Sequence, residues 1–140
     1  MQGKDEFRAA AKDWFEYGDD DLEMARIGLE RNGPPNTIVF LLQQSVEKYL
    51  KAYLIWHTGV LTKTHNLELL IDKASAFNDR IAEFTDLGRR LTATYTLERY
   101  PREPRAIPEP EEVVEIYNKT KQLIAEISTN WNGNGGTLGG

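Results

Sequence analysis

The chain contains no cysteine and only two histidines. The first absence excludes a disulfide framework, a zinc–thiolate site and a cysteine nucleophile. The second argues against a histidine-rich metal site, so no metal and no cofactor are expected. No uninterrupted apolar run approaches the ~20 residues of a membrane-spanning helix, and no membrane association is expected. The first residues, MQGKDEFRAA, lack the apolar stretch of a signal peptide. The cytoplasm is the expected location. Strict apolar–polar alternation is also missing, which removes the main signal for strands. Phosphate loops, dinucleotide fingerprints, HExxH and nucleophile elbows do not occur either.

What is present is globular in composition. Of 140 residues, 40% are hydrophobic and 28% charged, with 17 basic against 22 acidic side chains and a formal charge of −5. One domain is the natural count at this length. An acidic body argues against a general nucleic-acid coat but permits one basic patch.

Glycine and proline divide the chain. Gly33-Pro34-Pro35 closes a first segment, Gly59 a second, and Pro101, Pro104, Pro108 and Pro110 precede the last. Between these breaks apolar residues recur with helical period. Phe7, Ala11, Trp14, Phe15, Leu22, Ala25 and Leu29 share a face and predict a helix over about 4–31, weakened at Gly18. Residues 35–56 carry two apolar stripes, as a central helix with neighbours on two sides requires. Shorter helices are predicted over 66–76 and 79–98, and a last one over about 108–129. The fold class is all-α, an antiparallel up-and-down bundle of four to five helices over residues 1–129. Residues 130–140, rich in Gly and Asn, are expected to be a flexible tail.

The remaining polar strip of the second helix contains Gln43, Gln44, Glu47, Lys48 and Lys51. Gln43–Glu47, Gln44–Lys48 and Glu47–Lys51 are i,i+4 pairs. The strip lines either a groove or interface, or a solvated face laced by pairs worth about 0.2–0.5 kcal/mol each. Residues 89–105 hold five arginines against two glutamates, a local charge of +3. They form either a phosphate-binding cluster, which the guanidinium fork suits, or charge partners for the acidic run Asp13–Glu23 of the first helix. Asp19-Asp20-Asp21 cannot converge on one ion, because consecutive helical residues point about 100° apart. A solvated face is expected for them. His65 precedes a short helix, as a base, a phosphate contact or a structural loop residue. His57 is expected on the surface at a helix end.

The segment FLLQQSVEKYLKAYLI resembles the HEPN domain family, whose second helix carries a QQ-x-x-EK-x-x-KA pattern. Thr64-His65-Asn66-Leu67 is similar to the family's T-H-D-L, and Arg99-Tyr100-Pro101-Arg102 to its R-Y-P-D. The resemblance spans about 7–127. It implies a helical bundle that dimerises, either a metal-independent ribonuclease of the toxin–antitoxin or defence type or the partner of a small nucleotidyltransferase. The ribonucleases use an Arg followed four to six residues later by His. Neither His57 nor His65 has an arginine at that distance, and no histidine follows Arg89, Arg90 or Arg99. Cleavage without metal needs a base and cations for the developing charge, and arginine cannot be that base.

The leading expectation is therefore a dimeric binding or regulatory module, partner to a small nucleotidyltransferase, with nucleotide or RNA phosphate bound by Gln44, Glu47, Lys48, Lys51, His65, Arg99, Tyr100 and Arg102. The alternative is a ribonuclease with a substitute base from Tyr95, Tyr100 or His65. Trp14, Tyr53 and Trp56 are expected to leave more apolar surface than one bundle covers, and so to drive dimerisation.

Overall fold

The computed structural model describes residues 2–99 and 107–129, with side chains over 6–93 and 107–129. Five α-helices follow in order: α1 (Gln2–Glu30), α2 (Pro35–Thr58), α3 (Leu67–Ser75), α4 (Thr85–Arg99) and α5 (Pro110–Thr129), with a 3-10 segment over Asp79–Phe84. No strand occurs among the described residues.

α1 and α2 form an antiparallel hairpin, pairing Phe7 with Gly59, Phe15 with Tyr49 and Gly28 with Ile38. The turn between them is a Schellman cap. Gly33 donates its N–H to the Gly28 carbonyl at 2.7 Å, and Asn32 donates to Leu29. The left-handed residue is Asn32, at φ 55°, rather than the neighbouring glycine. Pro35 opens α2, where its missing N–H costs nothing. Gly18 does not interrupt α1, which runs through it unbroken despite the lower helix propensity of glycine. A Cβ there would lie 3.2 Å from the Tyr49 ring and 3.3 Å from the Ser45 carbonyl. The residue is glycine because the two helices approach closely at that level.

α2 is central, packing on α1, α3, α4 and α5. Leu42, Val46, Tyr49, Leu50 and Tyr53 are fully buried. Each aliphatic side chain among them contributes about 1.5–3 kcal/mol by leaving water. The helix stops at Gly59, whose φ of 75° suits the left-handed cap and whose N–H reaches the Ile55 carbonyl at 2.8 Å.

The next connection explains Thr64-His65-Asn66. The Thr64 hydroxyl accepts the Asn66 N–H at 3.1 Å, and the Asn66 side chain caps α3 by accepting the Leu69 N–H at 3.2 Å. Asn serves here as Asp would, since either offers the capping oxygen. The helix expected over 79–98 divides. Asn78 accepts the Arg80 N–H and donates to Glu126 of α5, both at 3.2 Å. Held at its start by Asn78, the segment 79–84 forms 3-10 turns that bury Ile81 before α4 begins. α5 opens with Glu111 and Glu112 and buries Val113, Ile116, Thr120, Leu123, Ile124 and Ile127.

Burial pushes the Tyr53 hydroxyl up to about 12, with the Glu126 charge adding to it. Burial raises Tyr49 further, reinforced by its hydrogen bond to Asp19. An acid whose folded pKa lies above its unfolded value of about 10 lends stability fully present below that value and lost as pH rises through the folded one. Unfolding in the window from pH ~10 to ~12 is therefore expected, read by circular dichroism along a base titration. Tyr53→Phe should flatten the loss; an unchanged profile would mean that Tyr53 is not among its causes.

Candidate functional site

The polar strip of α2 is not a solvated face. Gln43 is fully buried, and the side chains of Glu47 and Lys51 are 8% and 7% exposed. Their i,i+4 spacing places them on one face, and the packed helices close over it. Glu47 accepts the Gln43 amide N–H at 3.1 Å through Oε1 and the Lys51 ammonium at 2.8 Å through Oε2. Gln44 donates to the Gln43 carbonyl oxygen at 2.6 Å. The Lys51 Nζ also lies 5.7 Å from the centre of the Trp14 ring on α1. A carboxylate and an ammonium taken out of water need such partners, because unpaired buried charge costs several kcal/mol.

His65 completes the cluster from the other side. Its Nδ1 lies 2.9 Å from Glu47 Oε2, while the ring is 63% exposed. The connection capped by Thr64 and Asn66 brings it there. A buried carboxylate, balanced by a lysine, thus holds an imidazole at the protein surface. The arrangement can fix a histidine tautomer, accept or hand on a proton, or seat a polar ligand against α2.

Lys48 does not pair with Gln44. It reaches Asp21 of α1 at 2.6 Å, and the Tyr49 hydroxyl bonds Asp19. The acidic run is thus partly structural, joining α1 to α2 rather than standing wholly solvated. The carboxylates bonded by the two arginines of α4 whose side chains are described lie on α3, α4 and α5 rather than on the acidic run of α1. Arg89 bonds Asp86 and Glu68, and Arg90 bonds Glu112 and Glu115 of α5. Both arginines brace the α3–α4–α5 side.

Tyr100, Arg102 and Arg105 lie outside the described residues, as does the tail 130–140, and Arg99 and Tyr95 are described only for their backbone. His57 is half-buried rather than a plain surface residue. It stacks on Phe77 with centroids 4.6 Å apart and meets Tyr53 edge-on.

Trp14, Tyr53 and Trp56 do not stand open as the apolar surface expected to drive dimerisation. Tyr53 is fully buried, and Trp14 and Trp56 pack on the core, with Lys51 near the Trp14 ring and Arg8 over Trp56 at 4.4 Å. The chain covers Tyr53 wholly and Trp14 and Trp56 in part. A cavity of about 250 Å³, lined by Leu29, Pro35, Ile38 and Val113 among others, lies where the α1–α2 turn meets α5 and does not include the polar cluster. No His/Cys/Asp/Glu group able to hold a metal occurs among the described residues, and no helix among them is long and apolar enough to cross a membrane.

Sequence reasoning singled out Gln44, Glu47, Lys48, Lys51 and His65. The structure brings Glu47, Lys51 and His65 together, holds Gln44 at the edge through Gln43, and turns Lys48 toward α1. Gln43 and Trp14 were missed as site neighbours. The Gln43 signal was present, since it stands four residues before Glu47. Trp14 had none, because its position depends on how α1 crosses α2.

No curated protein and no solved structure matches the chain. A family model described as HEPN domain matches residues 11–130. That match takes in α1 from Ala11 onward, the α2 cluster, the His65 connection and α3 to α5, and the chain belongs to the HEPN domain family.

Proposed function

We propose that this chain is a HEPN binding or regulatory module that acts as a dimer, pairs with a small nucleotidyltransferase in a toxin–antitoxin or defence setting, and binds nucleotide or RNA. The observation that carries this reading is the α2 cluster. From the most specific part of the family pattern, Gln43, Glu47 and Lys51 are folded into a buried network, with Gln44 at its edge and His65 at its mouth. Stability alone does not call for it, since an apolar core of equal volume is commonly as stable.

HEPN domains often dimerise, which supports a second copy; Tyr17, Met24 and Val114 are exposed apolar side chains open to one. Arg99, Tyr100 and Arg102, beside the proline-rich segment, complete the ligand site in this reading. Efficient ribonuclease action is disfavoured, because the chain holds no Arg-to-His spacing of the kind those enzymes use.

The test is incubation of a mixed-sequence RNA in EDTA with wild-type protein, Arg99→Ala and Arg102→Ala. Retention of RNA without cleavage, weakened in the variants, is the expected result. Cleavage lost in Arg99→Ala would replace the reading with a ribonuclease using a substitute base. Neither retention nor cleavage would remove the nucleic-acid part and leave the protein partner. Light scattering at micromolar concentration should give twice the 16.0 kDa chain mass; a monomer would remove the dimer.

A further inference from the structure

α1 packs chiefly on α2. Its outward side carries a row at spacings of four and three: Asp13, Tyr17, Asp20, Met24, Ile27 and Arg31, all exposed. Arg31 follows the helix end, but it donates its N–H to the Ile27 carbonyl at 3.0 Å and so keeps the helical register. Spacing of this kind is the seam along which a second helix packs. Tyr17, Met24 and Ile27 are 59%, 54% and 37% exposed. Single exposed apolar residues are ordinary; three on one row form a stripe. The row is also acidic. From Asp13 to Glu23 the chain has six acids and no base. Asp19 and Asp21 turn to Tyr49 and Lys48 of α2, while Asp13, Glu16, Asp20 and Glu23 flank or join the stripe.

Exposure alone would let Tyr17 and Met24 face a second copy, but register and charge do not. Antiparallel pairing that sets Tyr17 on the second copy's Ile27 also sets Asp13 on its Arg31. The same register presses the Asp20 carboxylate onto the second copy's Met24, a polar group on carbon. It also lays the row Glu16, Glu23 and Glu30 along its own image. Parallel pairing sets Asp13 and Asp20 each against itself. Like charges so placed are strongly unfavourable. A facing helix with bases opposite Asp13 and Asp20 removes both conflicts.

We infer that the outward face of α1 docks an amphipathic helix of another protein, whose apolar row covers Tyr17, Met24 and Ile27 and whose Lys or Arg side chains meet Asp13 and Asp20. Polar positions within such a seam fix register and partner choice. The inference goes beyond the reading above and does not depend on nucleotide or RNA binding.

The probe is a labelled synthetic peptide of about three heptads, with Leu in a 3–4 row and Lys beside it and at two row positions. A second peptide has Glu for every Lys, and a third has the first peptide's residues in shuffled order. Each is titrated against the full chain by fluorescence anisotropy at about 0.15 M salt. The basic peptide is expected to bind at least about tenfold more tightly than either control. Asp20→Lys should weaken it about tenfold and strengthen the acidic peptide. Met24→Glu and Tyr17→Ser should each weaken it about tenfold as well. Asp72→Lys, an exposed change on α3, should leave it within about twofold. Circular dichroism melts matching wild type confine each effect to the surface. No binding of the basic peptide at about 100 µM, a far weaker affinity than a specific helix partner shows, would overturn the proposal. So would a shuffled or acidic peptide that binds as well, or an equal loss in Asp72→Lys, since either means general attraction to an acidic body. A wild-type dimer in sedimentation that Met24→Glu splits would give the face to a second copy and overturn it too.

Discussion

Glu47→Ala is expected to lower the unfolding free energy by about 3–5 kcal/mol, because it strands the Lys51 ammonium in a site nearly closed to water. An exposed i,i+4 pair of the same residues would change stability by less than about 1 kcal/mol. The two figures are far enough apart for urea unfolding to decide between a buried network and a surface pair. Lys51→Met should cost less, since the carboxylate keeps two donors, Gln43 Nε2 and His65 Nδ1. The double change Glu47→Leu with Lys51→Met removes both charges and fills the space with carbon. Such replacements are often neutral or stabilising, so most of the single-variant loss should return. A double variant as unstable as Glu47→Ala would mean that packing shape, not charge, is what Glu47 supplies.

The double variant also tests why the network exists. If it folds well and loses RNA retention, the charges serve binding. If it folds well and binds as before, the cluster is a relic of packing and the proposed site lies elsewhere, nearer Arg99 and Arg102.

Helical period made the bundle legible, because burial on one side of a helix leaves a trace in every turn. Breaks at Gly33, Gly59 and the prolines marked the connections for the same local reason. The sequence did not show that residues 79–84 would tighten into 3-10 turns, since that follows from Asn78 holding Glu126 some 48 positions away. The membership of the polar strip was readable and its burial was not. Gln, Glu and Lys at i,i+4 look alike whether water or a neighbouring helix covers them, and only the crossing of α1 at Trp14 and the return of the chain at His65 decide it. Arg89 and Arg90 show the same limit. Their sign was readable, but the carboxylates they meet, Glu68, Glu112 and Glu115, were chosen by how α3 and α5 pack on α4.

Tyr49 is the other position where a large effect is expected. Its ring is fully buried, meets Phe15 edge-on at 4.6 Å, and lies against Gly18 at the close approach of α1 and α2. Tyr49→Ala should cost about 3–5 kcal/mol through lost burial and the cavity it leaves. Tyr49→Phe keeps the ring and loses only the bond to Asp19, which water can hydrate in its place, so about 1 kcal/mol is expected. Gly18 gives a sharper check on the same contact. In the wild type, Gly18→Ala would gain helix propensity of about 1 kcal/mol but crowd the Tyr49 ring at 3.2 Å, so little or no net gain is expected. In the Tyr49→Ala background two of the three close contacts are gone, and Gly18→Ala should recover most of that propensity. Denaturant unfolding of the two single variants and the double against wild type would show a favourable coupling. Simple additivity would mean that the ring does not set the glycine requirement, and that the Ser45 carbonyl does.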